Sequence, residues 1–206
     1  MVDAATSRGY GGVLLTNGHL TLFGDLWPQE VIDDRIIPIF VLEALAVILG
    51  TLTWGSQFHG KKIIVRSDSS NTCGAFNKLK SDNDSLRLLA HFWAQCQESF
   101  QIEGLRFHCP GKDNQCADIA SRVEAGDVME SLYAELHSYG LDEVTVSYTD
   151  TIWRANSISA RLLDVLTTMS SDASEARLRA KEHSALNELL PHHATEIIGR
   201  NGEEGL

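Results

Sequence analysis

Apolar and polar residues alternate with a period of two in several short segments of the first half of the chain. This period is that of a β-strand, whose successive side chains point to opposite faces. The predicted strands are a short one around Asp3, residues 10–15, residues 20–26, residues 61–67 and the segment that runs through Phe107. Asn17-Gly18, between the second and third strands, is the strongest hairpin signal in the chain, so these two strands should be antiparallel neighbours. The β-branched run at 61–67 is typical of a buried strand.

Apolar residues recur with a helical period between the later strands. The predicted helices are residues 40–52, 72–79 and 86–100 and the segment that carries Asp118. The first helix is apolar on nearly every side and lies in a longer apolar run, residues 36–54. Because Glu43 and two helix-breaking residues interrupt that run, a buried core helix is a better interpretation than a membrane span. Asn114 stands where the N-cap of the last helix is expected.

The predicted order is three strands, a helix, a strand, two helices, a strand and a helix. A hairpin that leads into strand–helix–strand crossovers favours an α/β fold with a mixed sheet and helices on its faces. After Arg122 the pattern is weaker: residues 126–139, 158–169 and 173–190 look helical, and residues 143–149 look like a strand. We therefore predict a first domain over residues 1–124 and an acidic, mainly helical extension or linker over residues 125–206.

The charge of the chain is unevenly distributed. The net charge of −11 by itself argues against binding to nucleic acid. Residues 1–122, however, contain 11 Lys and Arg against 13 Asp and Glu, whereas residues 123–206 contain 6 against 15. The nearly neutral first part can therefore still present a local basic face. The four cysteines show neither a C-x-x-C pair nor zinc-site spacing, so we expect reduced thiols in an intracellular protein that is not secreted.

Four carboxylates stand at the ends of the predicted elements. Asp3 lies on the first strand, Asp68 follows the 61–67 strand, and Glu43 and Asp118 lie on helices. Ligands of open α/β sheets bind outside the carboxyl ends of the strands, where these side chains would meet. Carboxylates that lie so close together repel one another at pH 7, and a divalent cation would remove this repulsion. A site with only oxygen ligands favours Mg²⁺ or Mn²⁺ over zinc. Taken alone, an acid such as Asp118 is more often an ordinary residue of a helix's first turn.

The segments that carry these acids resemble, in their order and spacing, the ribonuclease H domain of retroelement (retrotransposon) reverse transcriptase polyproteins. They read D-A-A-T-S-R-G-Y-G-G-V-L from Asp3, L-E-A-L-A-V from Leu42, R-S-D-S-S-N-T-C-G-A-F-N-K from Arg66 and H-C-P-G-K-D-N-Q-C-A-D-I-A-S-R from His108. The last segment is similar to the signature H-x-P-G-x-x-N-x-x-A-D-x-x-S-R, which is best known from retrotransposon members. The resemblance covers residues 2–122.

The resemblance implies a ribonuclease H-like fold with a mixed five-stranded sheet, three antiparallel strands followed by two parallel ones, flanked by helices. It implies a hydrolase, an endonuclease that cuts the RNA strand of RNA/DNA hybrids with two Mg²⁺ ions, for which Mn²⁺ is a substitute. The catalytic residues and metal ligands would be Asp3, Glu43, Asp68 and Asp118. The residues that bind the nucleic acid would be Ser69, Asn71, Lys78 and Lys80. The implied partners are the hybrid and a polymerase domain upstream in the parent polyprotein, with no membrane.

Two departures from the family keep an alternative open. The loop 111–114 is too short for the histidine that cellular members place before the last acid, and that role is not transferred to His108. The first strand is also short, with Asp3 close to its start. The alternative function is therefore a catalytically inactive ribonuclease H-like remnant, or a module that binds nucleic acid or protein. A transposase or integrase of the same fold fits the A-D-x-x-S-R segment less well.

Overall fold

The computed structural model describes residues 1–5, 8–27, 29, 37–122, 127–141 and 143–148 of an α/β chain. Its strands are β1 (Val2–Ala4), β2 (Gly9–Thr16), β3 (His19–Leu26), β4 (Lys62–Ser67), β5 (Glu103–His108) and β6 (Thr145–Tyr148). Its helices are α1 (Ile39–Trp54), α2 (Ser70–Lys78), α3 (Asp84–Phe100), α4 (Gln115–Ser121) and α5 (Asp127–Ser138), with short 3₁₀ turns at Gly55–Phe58 and Gly111–Asp113. The predicted element order is confirmed. The predicted helices at 158–169 and 173–190 lie outside the described residues.

The strands form two sheets, so the prediction of a single five-stranded sheet is wrong. The first sheet has the order β1–β2–β3–β6, in which β1, β2 and β3 are antiparallel neighbours and β6 joins β3 in parallel. Strands β4 and β5 form a separate parallel pair. Strand β1 is only three residues long. It contacts β4, but no backbone hydrogen-bond ladder joins these two strands in the described part of the chain. The predicted directions of the first five strands are nevertheless correct.

The hairpin between β2 and β3 confirms the turn predicted at Asn17-Gly18. Both residues have positive φ angles, 51° and 76°. This pair of angles belongs to the type I′ turn, whose twist matches that of the flanking strands. The register that follows places Thr16 opposite His19 and Gly12 opposite Phe23.

Helix α1 lies at the centre of the larger hydrophobic core. It contacts β1, β2 and α3, and its apolar side chains are buried almost without exception, as predicted. Residues 39–58 form a described helical segment that is long and apolar enough to cross a membrane, and two-thirds of its most apolar window is buried inside the protein. A helix that is apolar all round is stable in water only when other elements cover it. Glu43 is the ionisable side chain of α1, and the packing of α1 places it towards the ends of the strands.

A second, smaller core lies on the opposite face of the first sheet. Helices α4 and α5 cover it with Cys116, Ala120, Val128, Leu132 and Leu136, which pack on side chains of β2 and β3. Helix α4 lies so close to β2 that a Cβ atom on Gly11 would be 2.3 Å from the carbonyl carbon of Ala120. The described residues after 124 therefore pack on the same sheet as the residues before it. All four cysteines are buried free thiols.

Candidate functional site

The four predicted acids lie on four elements that meet beside β1. Asp3 is the middle residue of β1, Glu43 lies in α1, Asp68 follows β4, and Asp118 lies in the first turn of α4. The elements α1, β4 and α4 each contact β1. We call these four side chains the acidic edge. The structure brings them into electrostatic contact, as the pKa values of its two most buried members show.

Asp3 is buried, with 5% of its surface exposed. Its Oδ2 atom accepts a hydrogen bond of 2.8 Å from the Ser121 hydroxyl, and its Oδ1 atom lies 3.5 Å from the amide nitrogen of Asn114. Burial raises the pKa of Asp3 to about 6, and the negative charges of Asp68 and Asp118 act in the same direction against the Ser121 hydrogen bond. A substantial fraction of Asp3 is therefore protonated near pH 6.

Glu43 has the more strongly shifted pKa. Burial raises the pKa to about 7, a hydrogen bond with the Ser69 side chain opposes the shift, and the charges of Asp68 and Asp3 add to it. Its Oε2 atom is buried and has no hydrogen-bond partner in the part of the chain that the structure describes. A buried acceptor without a partner is costly, which marks this oxygen as a place where a ligand would be stabilising.

Asp68 also presents a buried oxygen without a partner among the described residues, its Oδ1 atom. The other oxygen, Oδ2, would lie 3.6 Å from a Cβ atom on Gly111, so the turn after β5 runs directly beside this acid. Two unpartnered buried carboxylate oxygens, from Glu43 and Asp68, fit the preference of Mg²⁺ for oxygen ligands. The chemistry of the donors is therefore compatible with the ion that the sequence predicts.

Asp118 differs from the other acids because the chain supplies it with a cation. Arg122 donates to its Oδ1 atom from Nε at 2.9 Å and from Nη2 at 2.7 Å. The two side chains are one turn apart on α4 and both are partly exposed. The hydrogen bond and the negative charge of Asp118 raise the pKa of Arg122 further above its usual range.

The acids are close enough to change each other's pKa, but they do not form a coordination shell. Over the described residues, no group of three or more His, Cys, Asp or Glu side chains is arranged to hold a metal ion. Ser121 holds Asp3 and Arg122 holds Asp118, so the oxygens of both acids are directed to partners within the protein. Coordination would require these hydrogen bonds to be exchanged for contacts with the ion.

Asn114 confirms the predicted position of the N-cap but not the predicted role of its side chain. It occupies the N-cap position of α4, but its side chain makes no capping hydrogen bond. Its amide instead donates to the backbone oxygen of Val2 at 3.2 Å, and thereby joins α4 to β1. The pairing of Arg122 with Asp118 had a visible signal, because Arg122 follows Asp118 by four residues and so lies on its face of a helix. The hydrogen bond from Ser121 to Asp3 joins two elements distant in sequence and had no such signal.

The residues predicted to bind nucleic acid fall into two groups. Ser69 is buried: its hydroxyl accepts a hydrogen bond from the backbone nitrogen of Thr72 at 3.3 Å, as the N-cap of α2, and also bonds to Glu43. Asn71, Lys78 and Lys80 are exposed at the two ends of α2. Ser69 thus positions an acid, whereas the other three are available to a ligand at the surface.

A second buried charge, Arg106 on β5, was not predicted. It is 4% exposed, and its guanidinium carbon lies 3.8 Å from the ring centre of Trp93 and 5.3 Å from that of Phe76. Its Nη1 atom donates to the backbone oxygen of Gly104 at 2.6 Å, while Nε and Nη2 have no hydrogen-bond partner in the described part of the chain. Burial lowers the pKa of Arg106 to about 9, so the side chain remains a cation at neutral pH.

The geometry therefore provides two buried oxygens without partners, two acids held by neighbouring side chains, and an exposed polar helix beside them. None of these features depends on a known relative. Comparison of the chain with protein-family models, with curated proteins and with solved structures found no match, so the case for a function depends on the site itself.

Proposed function

We propose that the chain is a ribonuclease H, an endonuclease that hydrolyses the RNA strand of RNA/DNA hybrids, and that it belongs to a retroelement polyprotein with a polymerase domain upstream. The observation that carries the proposal is the convergence of Asp3, Glu43, Asp68 and Asp118 from four separate elements. Chains do not keep several acids in partly buried mutual contact without a reason, because each raises the cost of ionising the next.

The topology supports the same proposal. An antiparallel β1–β2–β3 meander, followed by parallel β4 and β5 with helices between them, has the strand directions of a ribonuclease H-like fold. The resemblance implies acids on β1, after the carboxyl end of β4 and on the helices that pack beside these strands. Asp3 and Asp68 occupy the first two positions here, and Glu43 and Asp118 occupy the others.

The acids would bind two divalent cations, Mg²⁺ or Mn²⁺. When bound, such a pair supplies an activated water and stabilises the leaving oxygen of a phosphodiester, which yields a 3′-hydroxyl and a 5′-phosphate. Glu43 and Asp68 contribute oxygens that are already buried and without partners. Asp3 and Glu43 must be ionised to bind, and nearby positive charge favours that form by lowering the pKa of each. Ser69 and Ser121 hold Glu43 and Asp3 in place through their hydroxyl groups.

Helix α2 would guide the hybrid to the acidic edge. Asn71 lies at the end of α2 that is next to Asp68, and its exposed amide can hydrogen-bond a 2′-hydroxyl, the group that distinguishes RNA from DNA. Lys78 and Lys80 lie near the other end of this nine-residue helix, about 13 Å along its axis. At that distance their ammonium groups meet a phosphate of the same backbone rather than the cleaved bond.

A second candidate, an inactive module that binds nucleic acid or protein, is favoured by one specific observation. Arg122 already neutralises Asp118, and the described acids form no ready coordination group. If this ion pair persists in the presence of Mg²⁺, the site lacks a ligand and the chain binds without cutting. The two candidates therefore differ in cleavage and not in affinity for the hybrid.

The test is cleavage of a labelled RNA/DNA hybrid by the full chain, with and without Mg²⁺. We expect Mg²⁺-dependent cleavage of the RNA strand alone, which Asp68→Asn abolishes. The matched control is Asp113→Asn, the same charge change at an exposed acid on the nearby 3₁₀ turn, which should retain activity. Equal activity of Asp68→Asn and the wild type would refute the nuclease. Binding of the hybrid in EDTA together with no cleavage in Mg²⁺ would establish the second candidate.

A further inference from the structure

Strand β5 is an edge strand in the described part of the chain, because β4 is its one partner there. The backbone nitrogen of Glu103 donates to the oxygen of Lys61, on the β4 side. The backbone groups of successive residues in a strand point alternately to its two neighbours, so those of Gly104 and Arg106 point away from β4. Unpaired groups in such a row are a template to which a further strand can bind.

The exposed face beside this edge is apolar. Leu105 and Phe107 are 54% and 57% exposed, and the register places Ile64, which is 63% exposed, opposite Leu105. On the other face, Ile63 and Val65 pack against the larger core, so the predicted burial of β4 is correct for one face only. An edge strand with exposed apolar side chains is a site at which chains associate unless the edge is protected.

The side chain of Asn77, in α2, occupies the outward backbone groups of Arg106. Its Oδ1 atom accepts a hydrogen bond of 3.1 Å from the Arg106 nitrogen, and its Nδ2 atom donates one of 2.8 Å to the Arg106 oxygen. A side-chain amide has the same donor and acceptor as a peptide group. Asn77 therefore makes the two hydrogen bonds that a residue of a neighbouring strand would make.

Two other side chains occupy the outward groups of Gly104. Its nitrogen donates to the Oε1 atom of Gln97, in α3, at 2.7 Å. Its oxygen accepts a hydrogen bond of 2.6 Å from the Nη1 atom of Arg106. All four outward backbone groups of Gly104 and Arg106 thus have a side-chain partner, and none of them is free to bind another strand.

The absence of a side chain at position 104 lets α3 approach the edge. A Cβ atom on Gly104 would lie 2.6 Å from the ring of Trp93 and 3.0 Å from the Oε1 atom of Gln97. Helix α2 also contacts β5. The two helices and the strand therefore bring the three partner side chains to one edge from separate parts of the chain.

We propose that Asn77, Gln97 and Arg106 block the free edge of β5 against pairing with a second copy of the chain. We call these three side chains the edge cap. The excluded partner is a second copy because two β5 strands in antiparallel contact would join their β4–β5 pairs into one sheet, with the exposed Leu105 and Phe107 side chains of both copies on it. This inference does not depend on the nuclease activity, and its test does not use it.

The test is the self-association of full-length variants, measured by analytical ultracentrifugation over a range of concentrations. Asn77→Ala combined with Gln97→Ala frees three of the four backbone groups. We expect its association constant to exceed that of the wild type by about tenfold or more, because each freed group gains a hydrogen bond on pairing. Gln97→Glu retains an acceptor for the Gly104 nitrogen and should behave as the wild type does. Gln57→Ala, which removes an exposed amide from a 3₁₀ turn, is the matched control for Gln97→Ala and should not associate.

Amide hydrogen exchange locates the contact. In the wild type, the amides of Gly104 and Arg106 should exchange slowly, because both are hydrogen-bonded. In the double variant they should exchange faster at low protein concentration and become protected again as the protein associates, since the paired strand then replaces the edge cap. Circular dichroism verifies that each variant is folded.

Two results would overturn the proposal. One is a folded double variant that associates no more strongly than the wild type. The other is association during which the amides of Gly104 and Arg106 still exchange rapidly, because the copies would then meet at another surface. If the double variant does not fold, the same two measurements on Asn77→Ala and Gln97→Ala separately decide the question in the same way.

Discussion

The acidic edge and the surroundings of Arg106 both bury charge, but they compensate it differently. Arg106 is a single cation that lies against two aromatic rings, with a backbone oxygen as its hydrogen-bond acceptor. The negative faces of those rings offset part of its desolvation cost. The acidic edge contains four acids; Arg122 forms an ion pair with Asp118 and its positive charge also lowers the pKa of Asp3. The chain thus offsets part of the single charge of Arg106, whereas one guanidinium, that of Arg122, faces the four acids of the acidic edge.

The comparison has a functional meaning. A buried charge that the chain itself compensates is compatible with the folded state. Its removal should therefore change mainly the free energy of unfolding. Buried acids that the chain leaves uncompensated reduce stability, and proteins keep such groups at functional sites. Substitutions in the two regions should therefore have opposite effects. Around Arg106 they should lower stability and leave cleavage unchanged. At the acidic edge they should abolish cleavage and leave stability unchanged or higher.

The largest effect is expected for Glu43→Gln. Cleavage of the hybrid should fall by more than about a hundredfold, since even residues that only support a metal ligand contribute about 10–100-fold. The free energy of unfolding without Mg²⁺ should stay equal or rise, because the buried carboxyl no longer repels Asp68 and Asp3. Single-turnover cleavage and urea unfolding measure the two quantities. Glu98→Gln, at an exposed position of α3, is the matched control. If Glu43→Gln greatly lowered stability and left cleavage normal, Glu43 would be a structural residue and the proposed contrast with Arg106 would be wrong.

The next largest effect is on stability, at Arg106. Arg106→Ala should lower the free energy of unfolding by about 2–4 kcal/mol, since it opens a cavity beside Trp93 and Phe76. Arg106→Met fills most of that volume without a buried charge, so it should cost less than about 1.5 kcal/mol. Cleavage per folded molecule should be normal in both variants. If Met proves as damaging as Ala, the charge on the rings contributes more than the packing does.

A smaller effect is expected from the ion itself. At a Mg²⁺ concentration of about 100 times the dissociation constant, binding to the folded state alone adds about 2.7 kcal/mol to the free energy of unfolding. The melting temperature should therefore rise with Mg²⁺ in the wild type and in Arg106→Met, but not in Glu43→Gln combined with Asp68→Asn. KCl at equal ionic strength controls for screening, which acts on every surface charge. An equal rise in the double variant would mean that the ion binds elsewhere.

The smallest expected effect is a dependence on pH. Burial raises the pKa of Glu43 from 4.5 to about 7 and that of Asp3 from 3.8 to about 6. The folded state therefore binds protons more readily than the unfolded state, and the stability this contributes is complete below pH 4 and lost as pH rises through 6 to 7. Without metal, the melting temperature should be higher at pH 5.5 than at pH 8.

The control for the pH effect is the variant Asp3→Asn combined with Glu43→Gln, in which the difference between the two pH values should shrink. The comparison of the variant with the wild type isolates the contribution of the two acids, because every other group is the same in both proteins. Saturating Mg²⁺ should reverse the sign of the difference, because the ion binds the ionised carboxylates. A larger pH difference in the variant would contradict the assignment of the shift to these acids.

Much of the architecture was predictable because it depends on local patterns. The turn at Asn17-Gly18 depends on the ability of these two residues to adopt positive φ angles, which a sequence displays directly. The burial of α1 follows from a composition with almost no polar face. The acids were recognisable because the segments that carry them resemble a known family in their order and spacing. The hydroxyl partners of Glu43 and Asp3, namely Ser69 and Ser121, were not recognisable in that role, because they come from other elements.

The pairing of strands illustrates what was out of reach. Nothing in the sequence near Asp3 indicates that β1 ends before it can form a ladder with β4, or that β6 adds itself to the far edge of the sheet. Strand pairing over more than a hundred residues is decided by which surfaces fit once the helices are packed. Asn114 is a similar case, because its N-cap position was predictable, but the hydrogen bond from its amide to the backbone oxygen of Val2 depends on how α4 packs on β1.

By itself, the sequence determined the order and type of the elements, the hairpin, and which acids stand at strand and helix ends, since each depends on residues close together in the chain. Only the tertiary structure decided that β5 turns Arg106 inwards and leaves Leu105 and Phe107 outside. A period of two specifies that faces alternate but not which face is covered. Trp93 and Phe76 settle that choice, because they provide two aromatic faces for a cation at one position of the strand.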